Sequence, residues 1–142
     1  MSAASVGRGV VRAILGLILL ASGVGKLIDP SGAGSLVGVV MGAESFFASI
    51  STLIVIAVSV VELALVGWLA WGKHLSAALL ACLGLVGVFT VVVGYLVVSG
   101  LSVSTCGCFG AFGLDLSAEW TLMRNLGLLV VILTGLLLND GS

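Results

Sequence analysis

Four apolar stretches, at about residues 10–27, 49–71, 75–98 and 121–138, dominate the sequence and leave few folds open to it. A helix rises about 1.5 Å per residue, so about 20 apolar residues cross a hydrocarbon layer roughly 30 Å thick. The first stretch carries Arg12 near its start and ends at the breakers Asp29-Pro30-Ser31-Gly32, the third has no charged residue, and the fourth ends at Asn139-Asp140-Gly141. Composition agrees, since 61% of the 142 residues are hydrophobic and only 8% are charged, with a mean hydropathy of +1.40. A soluble domain carries about a quarter of its residues charged, whereas a chain embedded in lipid excludes them. The expected fold is therefore an all-α membrane protein, a single four-helix transmembrane bundle over residues 1–142 whose first partner is the lipid bilayer.

Other classes are poorly served. A net charge of -1, three cysteines, one histidine and no basic cluster leave no case for nucleic-acid binding and little for a metal cage. A secretory signal competes for the first stretch, because Arg8 and Arg12 precede an apolar core and Ala21-Ser22-Gly23 resembles a cleavage site. The apolar run continues past that site to Leu27, which favours a retained span. Residues 28–48, where Leu36, Val37, Val39 and Val40 sit among glycines before Phe46-Phe47, read as a short element lying in the interface. Among the 21 glycines, Gly23 and the pair Gly84 and Gly87 read as points of close helix contact, since small residues let backbones approach inside lipid.

Orientation follows from the basic residues. With the N-terminus inside, Arg8, Arg12 and Lys73 are cytoplasmic against Lys26 and Arg124 outside, with both termini in the cytoplasm. Trp68 and Trp71 at one interface and Trp120 at the other read as aromatic anchors.

The strongest chemical signal is Cys106-Gly107-Cys108, on the outer loop before the last span. Two cysteines separated by one residue close only a tight ring, which Gly107 suits, and a strained disulfide favours exchange with another thiol pair over stapling. The bland alternative is a pair of inert loop thiols or a loop clip. Zinc would need two further ligands, and His74 lies at the opposite interface. Cys82 lies on the order of 30 Å from Cys106 along a helix, too far for a disulfide, and reads as a small buried hydrophobe.

Glu62 falls near the middle of the second span, where an ionised carboxylate is expensive. Arg12 and Lys26 sit near opposite ends of the first span, so the expectation is a protonated Glu62 bonded to a hydroxyl such as Ser22 or Thr90, with proton handling or ligand contact as the functional alternative. Arg124 and Asn125 open the last span, and Lys26 closes the first on the same face. Lys26 or Arg124 reads either as an interfacial anchor or as the cation that favours a cysteine thiolate.

These residues form a pattern. Gly25-Lys26-Leu27-Ile28-Asp29-Pro30, Glu62-Leu63 with Gly67, Cys106-Gly107-Cys108-Phe109-Gly110 and Arg124-Asn125 resemble the MauE family of methylamine-utilisation proteins, within the wider DoxX-like membrane family. The resemblance covers nearly the whole chain. The Cys-Gly-Cys-Phe-Gly element is its most specific part, the Gly-Lys-Leu and intramembrane Glu elements being shared with DoxX-like proteins generally. One departure is Val58-Ser59-Val60-Val61, where the pattern has a proline shortly before the glutamate, which leaves any kink-dependent feature without its proline. The resemblance implies a multi-pass protein of the bacterial plasma membrane that serves disulfide formation or passage of reducing equivalents in the maturation of periplasmic enzymes such as methylamine dehydrogenase. It also implies a thioredoxin-like partner.

Two functional readings follow: a thiol-disulfide redox protein using Cys106 and Cys108, with electron relay to a quinone as one option, and a non-catalytic membrane subunit or assembly factor. Homo- and hetero-oligomers stay open under both. If the charge bias sets the topology, a membrane-impermeant thiol reagent applied to intact cells modifies reduced Cys106 and Cys108 but not Cys82. Labelling that requires access from the cytoplasm reverses the orientation.

Overall fold

The computed structural model describes residues 2–41, 47–100 and 118–140. They form five helices: α1 (Ala3–Ile28), α2 (Ser31–Met41), α3 (Phe47–Trp71), α4 (Leu75–Val98) and α5 (Ala118–Asp140). There is no strand among the described residues. Four helices, all but α2, are long and apolar enough to cross a membrane.

The helices run beyond the apolar stretches that announce them. α1 begins at Ala3 because Ser2 caps it, its Oγ accepting from the Ser5 N–H at 3.3 Å. α5 starts at Ala118, with Glu119 in its first turn, where a negative charge complements the exposed N–H groups of the helix end. Hydropathy marks the part of a helix that lies in hydrocarbon, whereas capping sets where it stops.

Packing is antiparallel and sequential. α1 lies mainly on α3, α4 mainly on α5, and α1 touches α5 to join the two pairs. Direction is read from specific contacts. Arg12, early in α1, donates through Nε to the Leu69 carbonyl and through Nη2 to the Ala70 carbonyl, both at 2.8 Å, late in α3. Ser76 at the start of α4 accepts from Asn139 at the end of α5. The result is an up-down-up-down bundle.

Arg12 does more than anchor the interface. The last carbonyls of a helix have no partner within it, and inside a bilayer they find no water. Its guanidinium therefore caps α3 from the neighbouring helix. The chain then reverses through Gly72 (φ 75°), which takes the left-handed conformation that ends a helix, and His74 (φ 53°) leads into α4.

The core repeats at four-residue intervals: Val11, Leu15 and Leu19 on α1, Leu65 and Leu69 on α3, Ala78, Cys82 and Val86 on α4, and Leu128 and Ile132 on α5. Cys82 is fully buried there. α2 is too short to span. Asp29 opens it, accepting from the hydroxyl and the backbone N–H of Ser31, and these bonds hold its carboxyl below the usual aspartate value.

The glycines expected at helix contacts divide. A Cβ at Gly23 would meet the Leu63 side chain at 3.2 Å and the Ser59 carbonyl at 3.3 Å, but one at Gly84 or Gly87 would meet nothing within 4 Å. The tighter crossing is at Gly135, where a Cβ would lie 2.8 Å from Val11 Cγ1 and 3.2 Å from Leu79 Cδ1. Spacing shows that two glycines share a helix face, but not whether that face meets a neighbour. Gly135→Val should destabilise the bundle by about 1–3 kcal/mol through overpacking, while Gly84→Ala should be neutral or mildly stabilising; reversible unfolding in mixed micelles measures both.

Candidate functional site

The polar centre of the bundle is built on Lys26 and Glu62. Lys26 lies in the last turn of α1, yet it is only 3% exposed. Side chains on a helix lean toward its N-terminus, so the Lys26 ammonium reaches back about one turn to the level of Ser22. There Nζ donates to Glu62 Oε1 at 2.7 Å and to Ser22 Oγ at 2.9 Å, and Ser22 Oγ in turn lies 3.3 Å from Glu62 Oε1. The ammonium also sits 4.9 Å from the centroid of the Phe89 ring, over whose negative face a cation is attracted.

This corrects the expectation of a protonated Glu62 with no cation at its depth. Counting residues along α1 places the Lys26 backbone near the membrane edge, but the length and lean of the side chain carry its charge inward. The two partners form a buried ion pair. Ser22 is a partner as expected, whereas Thr90 donates to the Val86 carbonyl of its own helix. Lys26 is accordingly not an interfacial anchor, since Glu62 and Ser22 hold its ammonium inside the bundle.

α5 supplies the other wall. Arg124 Nη2 donates to Asn125 Oδ1 at 3.0 Å, and Asn125 is 3% exposed. Between these groups is a cavity of about 30 Å³, lined among others by Ser22, Lys26, Glu62, Phe89, Arg124 and Asn125. Pockets for organic ligands measure roughly 300–1,000 Å³, so this one has no room for a quinone ring. Glu62 Oε2 and Asn125 Nδ2, both buried, have no hydrogen-bond partner among the described residues, and neither does Thr121 Oγ1 one turn earlier on α5.

Four of the residues singled out in the sequence, Lys26, Glu62, Arg124 and Asn125, thus come together from three helices. Phe89 was not among them. It is not distinguishable by type or spacing from the other residues of its span, and only the packing places it at the site. Cys106, Gly107 and Cys108 lie outside the described residues. The helices that flank them are placed: α4 runs toward the Lys26 end of the bundle and α5 returns from it, since Gly94 approaches Leu122 and Asn125 lines the same cavity as Lys26. Among the described residues no group of three His, Cys, Asp or Glu side chains is arranged to hold a metal ion.

The family model for methylamine utilisation protein MauE matches residues 4–138. The chain belongs to the MauE family. The match takes in the four spanning helices, so the Lys26–Glu62 pair, Arg124, Asn125 and the Cys106 to Cys108 element all fall inside the MauE region. No curated protein and no solved structure matches the chain. Family and helices together identify a multi-pass membrane protein of the methylamine-utilisation type.

Removing one partner of a buried ion pair leaves the other charge uncompensated, at a cost of about 3–5 kcal/mol. Glu62→Gln and Lys26→Met should each destabilise the bundle strongly, and the double variant should recover most of the loss. A double-mutant cycle by unfolding in mixed micelles reads this directly. Additive losses would mean that the two residues are not coupled.

Proposed function

We propose that this MauE-family protein is a membrane thiol-disulfide redox protein in which Cys106 and Cys108 exchange with an extracytoplasmic partner bearing a thiol pair of thioredoxin type. The observation that carries the reading is the Cys106-Gly107-Cys108 spacing in the segment that joins α4 to α5, within the region matched to the family. The exchange needs no further reagent. The thiolate of one cysteine attacks a sulfur of the partner disulfide, the other partner sulfur leaves as a thiolate, and the second cysteine of the pair then displaces the partner. Two electrons and the associated protons pass to the partner, which ends as a dithiol while Cys106 and Cys108 end as a disulfide. Run backwards, the same steps oxidise the partner.

The bundle supports this chemistry from beneath. Lys26 is committed to Glu62, so the cation assigned to favour the thiolate is Arg124, early in α5, assisted by the N-terminal end of that helix. Burial of Lys26 also removes it from the count of loop charges, leaving Arg124 against Arg8, Arg12 and Lys73. That balance favours cytoplasmic termini and an extracytoplasmic cysteine segment in the plasma membrane. The setting is maturation of extracytoplasmic enzymes, of which methylamine dehydrogenase biogenesis is the family's name-giving case.

A redox titration of the purified protein in glutathione buffers, read by mass shift after alkylation, should show a reversible two-electron step at a potential above about -300 mV. In cells, Cys108→Ser or Cys106→Ser should accumulate a mixed disulfide with the partner. A lower potential, or thiols that stay free throughout, would overturn the redox reading and leave a docking loop on an assembly factor.

A further inference from the structure

The cavity beside the ion pair presents open hydrogen-bonding atoms whose chemistry selects an occupant. Glu62 and Asn125 both line it, each is 3% exposed, and Glu62 Oε2 and Asn125 Nδ2 have no partner among the described residues. Buried polar atoms are rarely left so, and where the protein does not satisfy them ordered water does. The identity of each open atom follows from its neighbours. Arg124 can only donate, so the Asn125 atom it meets at 3.0 Å is the amide oxygen, and the open atom is the N–H donor. Glu62 holds the Lys26 ammonium at 2.7 Å through Oε1, so its open Oε2 is a carboxylate acceptor.

An occupant must therefore donate to one atom and accept from the other. A halide accepts but cannot donate to Oε2. A metal cation would face the Lys26 ammonium, the Arg124 guanidinium and the Asn125 N–H. An organic ligand is excluded by size, because the space is about 30 Å³, whereas one water needs only about 10–15 Å³ of such volume. We propose that the cavity is a water site in which the water donates to Glu62 Oε2 and accepts from Asn125 Nδ2. Thr121, four residues before Asn125 on the same face of α5, adds a further open polar atom, its hydroxyl.

The site makes the interior of the bundle wet at one point. Glu62 is ion-paired through one oxygen and hydrated through the other, so the pair does not stand sealed in apolar packing. Asn125 is the positioning residue that holds the water. Nothing in this depends on the Cys106 and Cys108 chemistry.

Water-edited solid-state NMR of the full-length chain in liposomes tests the site. Magnetisation from water should reach the Glu62 carboxyl and the Asn125 side-chain amide, but not Leu79 or Ile132 in the dry core. Asn125→Leu should lower the transfer to Glu62 several-fold, and Asn125→Ser, which puts a hydroxyl donor in place of the amide and adds room, should retain it. Absence of water signal at Glu62 and Asn125 in the unaltered protein would overturn the proposal. So would unchanged transfer in a folded Asn125→Leu variant, and if that variant does not fold the unaltered protein still decides.

Discussion

The Lys26–Glu62 ion pair is the interaction around which the bundle is arranged. A charged side chain in hydrocarbon is expensive, and both residues are almost fully buried, away from bulk water. At 2.7 Å each is the condition for the other. The pair also sets geometry. Lys26 stands on α1 and Glu62 on α3, so their meeting fixes how far the two helices slide past one another, and the close approach at Gly23, with Leu63 and Ser59 against its backbone, makes room for it. At the other end of the same hairpin, Arg12 caps the last carbonyls of α3. The α1–α3 hairpin is thus clamped at both ends by basic side chains of α1, one satisfying a carboxylate and the other the backbone.

The second hairpin, α4 with α5, completes the enclosure. Phe89 from α4 and Asn125 with Arg124 from α5 close over the pair, while the apolar seam of Leu79, Cys82, Val86, Leu128 and Ile132 seals the rest of the interior. The polar site therefore belongs to all four spanning helices and does not exist before the two hairpins dock. The segment from 101 to 117, which carries Cys106 and Cys108, departs from α4 and rejoins α5 at this end, so redox chemistry proposed for the cysteines would be mounted on the part of the bundle whose register the ion pair holds.

Much of this is legible along the chain. Four apolar stretches separated by breakers and charges require four spanning helices, because only a helix satisfies its own backbone in lipid. The break at Asp29-Pro30 was equally plain. So was the importance of Lys26, Glu62, Arg124 and Asn125, polar residues that lipid tolerates only where something answers them. The family match spans residues 4–138.

What the chain alone left undecided is who answers whom. By residue count Lys26 belongs to the membrane edge and Glu62 to its middle, and a one-dimensional reading keeps them apart. The lean of a helical side chain and the offset between antiparallel helices bring them together, and both are properties of the packed pair. For the same reason Gly135, rather than Gly84 or Gly87, turned out to be a close crossing, and Phe89 joined the site unannounced. The sequence determined the solvent, the number of spans and the residues with something at stake, because those depend on composition and local order. Tertiary structure alone decided the pairing, the cavity and its open hydrogen bonds, because those depend on distances between helices that no spacing along one helix records.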